Sequence, residues 1–209
     1  MGRKEFLKLG GAHLRNSLFD LFSFLEAPEE PAEEPDSVPP PAATVRRGLR
    51  PPGAIPEERF VEACTHCRLC VEACPHEALT LAGPQEAYPE GTPFLPNVAA
   101  KPCHLCEDLP CVTACPEGAL RIVPLEEVRM GLAEIDPEIC FAFRGQICDY
   151  CIDRCPFPEE AIAADERGRP VINPDRCVGC GLCAYICVTT PGAIAVRPRA
   201  EEKEDPCSA

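Results

Sequence analysis

The spacing of the cysteines constrains this chain more than any other feature. Sixteen of the seventeen cysteines fall into four groups of four, and in every group three residues separate the third cysteine from the fourth. The groups are Cys64, Cys67, Cys70 and Cys74; Cys103, Cys106, Cys111 and Cys115; Cys140, Cys148, Cys151 and Cys155; and Cys177, Cys180, Cys183 and Cys187. A backbone with so many closely spaced thiols must fold around whatever those thiols bind.

The spacing is that of iron–sulfur ligands. Groups one and four have the bacterial ferredoxin run C-x2-C-x2-C-x3-C, and a proline follows the fourth cysteine of groups one, two and three, whereas group four has Val188 there. Three cysteines on one tight loop reach three irons of a cubane cluster, and the fourth typically binds the neighbouring cluster. The sequence therefore predicts four 4Fe–4S clusters with all sixteen cysteines as iron ligands, and an electron carrier rather than an enzyme.

Two other uses of cysteine fit the spacing poorly. Zinc ribbons use two separated C-x2-C knuckles. A disulfide framework calls for an even cysteine count, and here the count is odd, with Cys207 expected to be incidental. Seven residues separate Cys140 from Cys148, which leaves open that Cys140 is no ligand and that group three holds a three-iron cluster.

Three arginine or histidine residues lie within the first two groups. They are His66, Arg68 and His104. One interpretation is that they are exposed loop residues. The other is that they tune reduction potentials by their charge or by hydrogen bonds to sulfur.

Composition divides the chain into four segments. Residues 1–26 precede a linker, residues 27–56, that is rich in Pro, Glu and Ala and is expected to be extended. We predict that residues 57–197 form the four-cluster domain and that residues 198–209 form a charged tail. Because the chain has few aromatic residues and no Trp, we expect clusters to replace much of an apolar core.

The predicted fold class is α+β. We expect a tandem or nested pair of bacterial ferredoxin-like modules, with short strands and helices around the clusters and little regular secondary structure. A small–apolar segment follows the fourth cysteine of each group, as in residues 77–81 and 192–196. Each such segment predicts a helical turn that leads into a short strand.

Residues 1–26 predict an amphipathic helix, with apolar side chains from Leu14 to Leu25 on one face. This face suits packing on the protein itself, peripheral docking to a partner or membrane, or a relic export signal. Residues 3–8 resemble a twin-arginine motif with Lys4 in place of the second arginine, and polar residues interrupt the stretch that follows. We therefore expect a protein that is cytoplasmic or peripheral to the membrane, the alternative being a periplasmic one exported by a non-standard signal.

The net charge is −14. Such a charge repels nucleic acid and favours basic docking surfaces on redox protein partners. The alternative is that the acidic residues serve solubility alone.

The order of the motifs resembles the NapG/MauM family of ferredoxin-type proteins over residues 48–197. The resemblance is carried by the arginine–proline lead-in at 49–57, the Gly-Thr-Pro at 91–93, the Pro-Cys-His-Leu-Cys run that opens group two, and the wide third group. It implies a carrier of four 4Fe–4S clusters between a quinol-linked or soluble donor and a reductase. An assembly or maturation factor for a redox enzyme is the alternative.

The same resemblance implies partners. NapG-type members pass electrons from quinol, through a membrane ferredoxin-like partner, towards periplasmic nitrate reductase, and MauM-type members accompany methylamine dehydrogenase. For this chain it implies a membrane ferredoxin-like quinol oxidase and a molybdenum reductase.

Group two also resembles a motif of the iron–sulfur subunits of dimethyl sulfoxide reductase-type enzymes, in which the groups pair in a nested order. Nesting implies that Cys187 completes the first group's cluster and Cys74 the fourth group's. Sequential pairing gives Cys115 to the first group instead. The resemblance favours nesting, and the set of sixteen ligands is the same in both arrangements.

Overall fold

The computed structural model describes residues 48–199. The predicted N-terminal helix, the linker up to residue 47, and the tail from residue 200, with Cys207, lie outside the described residues. Within residues 48–199, none of the helices has the length and apolar character needed to cross a membrane.

The helices are short. Helix α1 has seven residues, and each of the others is a single turn, too short to be stable without tertiary contacts. The helices are α1 (Glu57–Ala63), α2 (Leu69–Glu72), α3 (Pro110–Thr113), α4 (Tyr150–Asp153) and α5 (Leu182–Tyr185), with a 3-10 turn at Leu125–Glu127.

Each one-turn helix carries the third cysteine of its group at its second position, and the fourth cysteine comes two residues after the helix ends. The chain enters three of these helices through a residue in the left-handed region: Arg68 (φ 69°), Leu109 (φ 40°) and Gly181 (φ 86°). This conformation is uncommon for residues other than glycine. It turns the chain sharply between the second and third cysteines. Helix α4 differs, because Asp149 before it has φ −130°.

The strands form three antiparallel pairs. Strand β1 (Thr80–Leu81) pairs with β2 (Pro93–Phe94), β3 (Leu132–Ile135) with β6 (Ile194–Arg197), and β4 (Ile162–Ala164) with β5 (Pro170–Ile172). The strands predicted after the fourth cysteine are present for groups one, three and four. After group two there is an isolated bridge between Leu120 and Ala54 in place of a strand. The expectation of little regular secondary structure is confirmed.

The end of the predicted linker is packed rather than extended. Leu49 is 2% exposed and forms an antiparallel bridge with Leu95, and Pro51 and Pro52 are buried. Ile55 donates a backbone hydrogen bond to Ala119. These contacts place residues 48–56 in the packed body, because their apolar side chains bury against it, and the body therefore begins before Glu57.

Cysteines lie within the apolar cores. The larger core surrounds Phe60 and includes Cys70 and Cys111, and it also takes in Cys180 and Leu182 from the fourth group. A smaller core contains Cys151 together with Ala133, Ile162, Ala184 and Ile194. The thiols thus occupy interior positions that apolar side chains fill in most proteins of this size.

Candidate iron–sulfur sites

The cysteines gather into four sets of four, each drawn from two groups. Three sets line cavities of similar volume, about 380, 360 and 390 Å³ including the open mouth. Site A contains Cys64, Cys67, Cys70 and Cys115. Site B contains Cys74, Cys103, Cys106 and Cys111. Site C contains Cys155, Cys177, Cys180 and Cys183.

Site D is defined by the neighbours of Cys148 and Cys151. Burial raises the pKa of both thiols, and the nearby Cys140 and Cys187 contribute in the same direction, although a backbone hydrogen bond from Tyr150 partly opposes the rise at Cys148. Cys140 is buried against Ala142 and Ala193, with Cys148 and Cys187 at the edge of the same cluster. Site D therefore contains Cys140, Cys148, Cys151 and Cys187. This placement favours Cys140 as a member of the site over the alternative of a three-cysteine set.

The nested pairing expected from the resemblance is wrong for this structure. Cys115 lies with the first three cysteines of group one, and Cys187 lies with those of group three. Each fourth cysteine crosses to the site of its sequence neighbour, so groups one and two exchange cysteines, as do groups three and four. The physical reason is local: helices α2 and α3 pack against each other, as do α4 and α5.

The thiols of each site repel one another once they ionise. Burial, and then the neighbouring Cys64, Cys115 and Cys67, raise the pKa of Cys70 to about 11. At site B, burial and the adjacent Cys74 raise the pKa of Cys111 to about 12. Thiolates are the form that binds iron. Buried thiols such as Cys70 and Cys111, which resist ionisation in the absence of a cation, therefore fit a positively charged iron–sulfur core.

Neighbouring sites lie close together in the order A, B, C, D. Cys70 of site A contributes to the raised pKa of Cys111 of site B. Between sites B and C, the backbone N–H of Cys103 donates to the carbonyl of Cys180 at 2.9 Å. Cys151 of site D contributes to the raised pKa of Cys183 of site C.

The structure places the residues that the sequence singled out at the mouths of sites A and B. His66 and Arg68 are exposed and line site A. His104 lines site B, where its ring stacks on His76 with 3.7 Å between centroids. Burial, and next His76, lower the pKa of His104. Sequence reasoning missed His76, although its position directly after Cys74-Pro75 is a signal.

Sequence reasoning also missed Thr189. Its Oγ1 lies 3.2 Å from the sulfur of Cys187, and the backbone N–H of Ala193 lies 3.4 Å from the same sulfur. Burial tends to raise the pKa of Cys187, but hydrogen bonds from Thr189 and from the backbone outweigh this effect and lower it. A hydroxyl residue two positions after a fourth cysteine was the available signal.

The two alternatives to iron–sulfur binding are a disulfide framework and a zinc site, and neither is seen among residues 48–199. The sixteen cysteines there are all free of disulfides. In the same part of the chain, no group of three His, Cys, Asp or Glu side chains is close enough to hold a single metal ion. In a cubane cluster each thiolate binds a different iron, so the four sulfurs stand further apart than around one zinc ion.

Comparison with known proteins supports 4Fe–4S chemistry. The family model of the 4Fe-4S dicluster domain matches residues 63–119 and 146–190. The methylamine utilization ferredoxin-type protein MauM of Methylobacillus flagellatus is 43% identical over 78% of this chain and 72% of its own length. The ferredoxin-type protein NapG of Escherichia coli is 43% identical over 72% of this chain and 70% of its own length.

The chain belongs to the MauM/NapG family of ferredoxin-type proteins. The resemblance seen in the sequence is therefore confirmed, as is the prediction of 4Fe–4S chemistry. Membership of the MauM/NapG family makes the chain an electron-transfer iron–sulfur protein rather than an enzyme in its own right. The names of these relatives give no support to the alternative of an assembly factor.

Proposed function

We propose that the chain holds four 4Fe–4S clusters, one at each of sites A to D, and relays single electrons along them in that order. The observation that carries this proposal is the proximity of successive sites along the series from A to D. Cys70 neighbours Cys111, Cys103 bonds to Cys180, and Cys183 neighbours Cys151. When bound, each cluster accepts and returns one electron.

The proposed architecture is a tandem pair of ferredoxin-like modules within the domain of residues 57–197, preceded by the packed residues 48–56. Sites A and B form the first module, and sites C and D form the second. Two backbone hydrogen bonds support a fixed junction between them: Cys103 to Cys180 at 2.9 Å, and Met130 to Val178 at 3.0 Å. Such a junction holds sites B and C at a constant separation, which electron transfer between modules requires.

The proposed partners are redox proteins at the two ends of the relay, a quinol-linked or soluble donor and a reductase. As the resemblance in the sequence implies, we propose a membrane ferredoxin-like quinol oxidase and a molybdenum reductase among them. The acidic charge of −14 favours partners with basic docking surfaces. We propose a location in the cytoplasm or at the membrane surface, because polar residues interrupt the apolar stretch of residues 1–26. A periplasmic location is the alternative.

Serine substitution tests both the sites and their pairing. Four 4Fe–4S clusters correspond to about sixteen iron atoms per chain. We expect Cys67→Ser and Cys115→Ser, made separately, to alter one and the same cluster in reduced-state electron paramagnetic resonance spectra. Cys148→Ser and Cys187→Ser should both alter a second cluster. Cys207→Ser is the matched control and should leave iron content and spectra unchanged.

The pairing is contradicted if Cys67→Ser and Cys187→Ser affect the same cluster, which is the nested result. The relay is contradicted if the anaerobically purified protein holds fewer clusters than four. Anaerobic affinity purification from detergent-solubilised cells then identifies the donor and acceptor. Recovery of a membrane ferredoxin-like protein or a molybdenum reductase supports these two partners, and recovery with soluble dehydrogenases alone supports a soluble donor and contradicts both of them.

A further inference from the structure

Site D differs from sites A to C in what surrounds its fourth cysteine. The sulfur of Cys187 has a side-chain hydroxyl beside it, that of Thr189, with Oγ1 at 3.2 Å. Thr189 is 9% exposed. By comparison, the sulfur of Cys74 at site B receives its hydrogen bond from a backbone N–H, that of Ala78, at 3.4 Å.

The direction of the hydrogen bond follows from its neighbours. The backbone N–H of Ala193 donates to Thr189 Oγ1 at 2.8 Å, which occupies a lone pair of that oxygen. An iron-bound cysteine is a thiolate and has no proton to give. The hydroxyl proton of Thr189 is therefore the one directed at the sulfur of Cys187.

A donor at this position favours the reduced cluster. Reduction adds one negative charge, which is shared with the ligand sulfurs, and hydrogen bonds to those sulfurs are among the factors that set the potential. The bond is stronger in a buried position than in water, because the local dielectric constant is low. Thr189 supplies such a donor from a position that solvent barely reaches.

We infer that Thr189 raises the reduction potential of the site D cluster through Cys187 and so favours residence of the electron at this end of the relay. This inference rests on the proposed function, since it requires a cluster at site D. Thr189 acts through the ligand, so its role is to tune the cluster and not to bind it.

The test is a potentiometric titration of the intact, cluster-loaded protein, monitored by electron paramagnetic resonance. The site D signal is first assigned as the one that Cys148→Ser alters. We expect Thr189→Val, which removes the hydroxyl but keeps the side-chain shape, to shift the site D midpoint to a more negative potential. At the wild-type midpoint the ratio of reduced to oxidised site D should fall about threefold to tenfold, where tenfold is 59 mV for one electron.

Two variants separate tuning from packing. Thr189→Ser keeps the hydroxyl and should restore most of the potential. Thr113→Val removes a hydroxyl that bonds to the carbonyls of Asp108 and Leu109 instead of sulfur, and it should leave every potential unchanged. If Thr189→Val loses iron from site D, Thr189→Ala replaces it, with the same expected shift.

Each outcome decides the matter. A site D midpoint that is unchanged in Thr189→Val, or that moves equally in Thr189→Ser, overturns the inference while the relay stands. A wild-type protein with no site D signal overturns the proposed cluster count, and this inference with it. A negative shift that is confined to site D and reversed by serine supports it.

Discussion

At the scale of single residues, Arg50 organises the entry to the first cysteine group. Its guanidinium donates to both carboxylate oxygens of Glu57, to Thr92 Oγ1 at 2.9 Å and to the carbonyl of Pro93 at 2.8 Å. The same group lies 3.9 Å from the centroid of the Tyr88 ring. The planar guanidinium makes all these contacts together, which a lysine ammonium does not. Arg50 therefore ties the arginine–proline lead-in to β2.

Arg50→Lys keeps the positive charge but removes the planar guanidinium with its several N–H donors. We expect a loss of about 2 kcal/mol in the free energy of unfolding, which lowers Tm by about 5 °C for a chain of this size. Thermal unfolding followed by circular dichroism under anaerobic conditions measures the change. Arg59→Lys is the matched control, because Arg59 is exposed, and its Tm should stay within about 1 °C of wild type. An equal loss in both variants contradicts the role given to Arg50.

The arginine–proline lead-in was visible in the sequence, and its role was not. Family resemblance singled out residues 49–57, but nothing in their composition separated them from the proline-rich linker before them. Their burial depends on partners about forty residues away, such as Thr92 and Leu95. Contacts at that range leave no local pattern in a single sequence. Thr189 differs, because it lies only two residues after Cys187 and the local sequence offered a signal.

At the scale of elements, the fold is built from one-turn helices whose entries are fixed by backbone conformation. Gly181 precedes α5 in the left-handed region, and a Cβ there would lie 2.4 Å from Val98 Cβ and 2.9 Å from the Val98 carbonyl oxygen. Since Val98 belongs to the segment between groups one and two, this contact joins that segment to the fourth cysteine group. Two features therefore require glycine at position 181: its positive φ, and the close approach of Val98, which leaves no room for a Cβ.

Gly181→Ala is therefore expected to destabilise the protein by about 2–4 kcal/mol, the sum of left-handed strain and overpacking. The damage should be greatest at site C, because Cys180 and Cys183 flank the substituted residue. Iron content and thermal unfolding measure both effects. Gly168→Ala is the control: it also has positive φ, 74°, but no atom within 4 Å of the added Cβ. Its loss should be about 1–2 kcal/mol, with iron retained. Equal effects would show that the contact with Val98 is unimportant.

At the scale of the whole molecule, the sequence predicted the cysteine sets better than their assembly. Spacing identified all sixteen cysteines that the structure brings into the four sites, because ligands on one loop are a local property. Pairing depends on which helices pack together, and the resemblance favoured nesting where the structure has sequential exchange. The isolated bridge at Leu120, in place of a strand, reflects the same dependence on distant partners.

The buried thiols make the stability of the whole molecule depend on iron. Without iron, Cys70 and Cys111 have pKa values raised from 9.0 to about 11 and about 12. The folded iron-free chain therefore holds protons that the unfolded chain releases as the pH rises above 9.0. Each pKa unit corresponds to about 1.4 kcal/mol, so each such thiol removes more than about 2 kcal/mol of folding free energy as the pH approaches its raised pKa.

Anaerobic removal of iron with a chelator should lower Tm at neutral pH, because metal binding stabilises only the folded chain. The raised thiol pKa values add a second effect, so the iron-free Tm should fall further as the pH rises from 8 towards 10. The iron-loaded protein should show no comparable fall over this range, because its cysteines are already deprotonated by the metal. Circular dichroism at a series of pH values measures both curves, and anaerobic reconstitution with iron and sulfide is the control for irreversible damage. If the iron-free Tm equalled that of the loaded protein, or rose with pH, the buried cysteines would not be the structural centre that the two cores indicate.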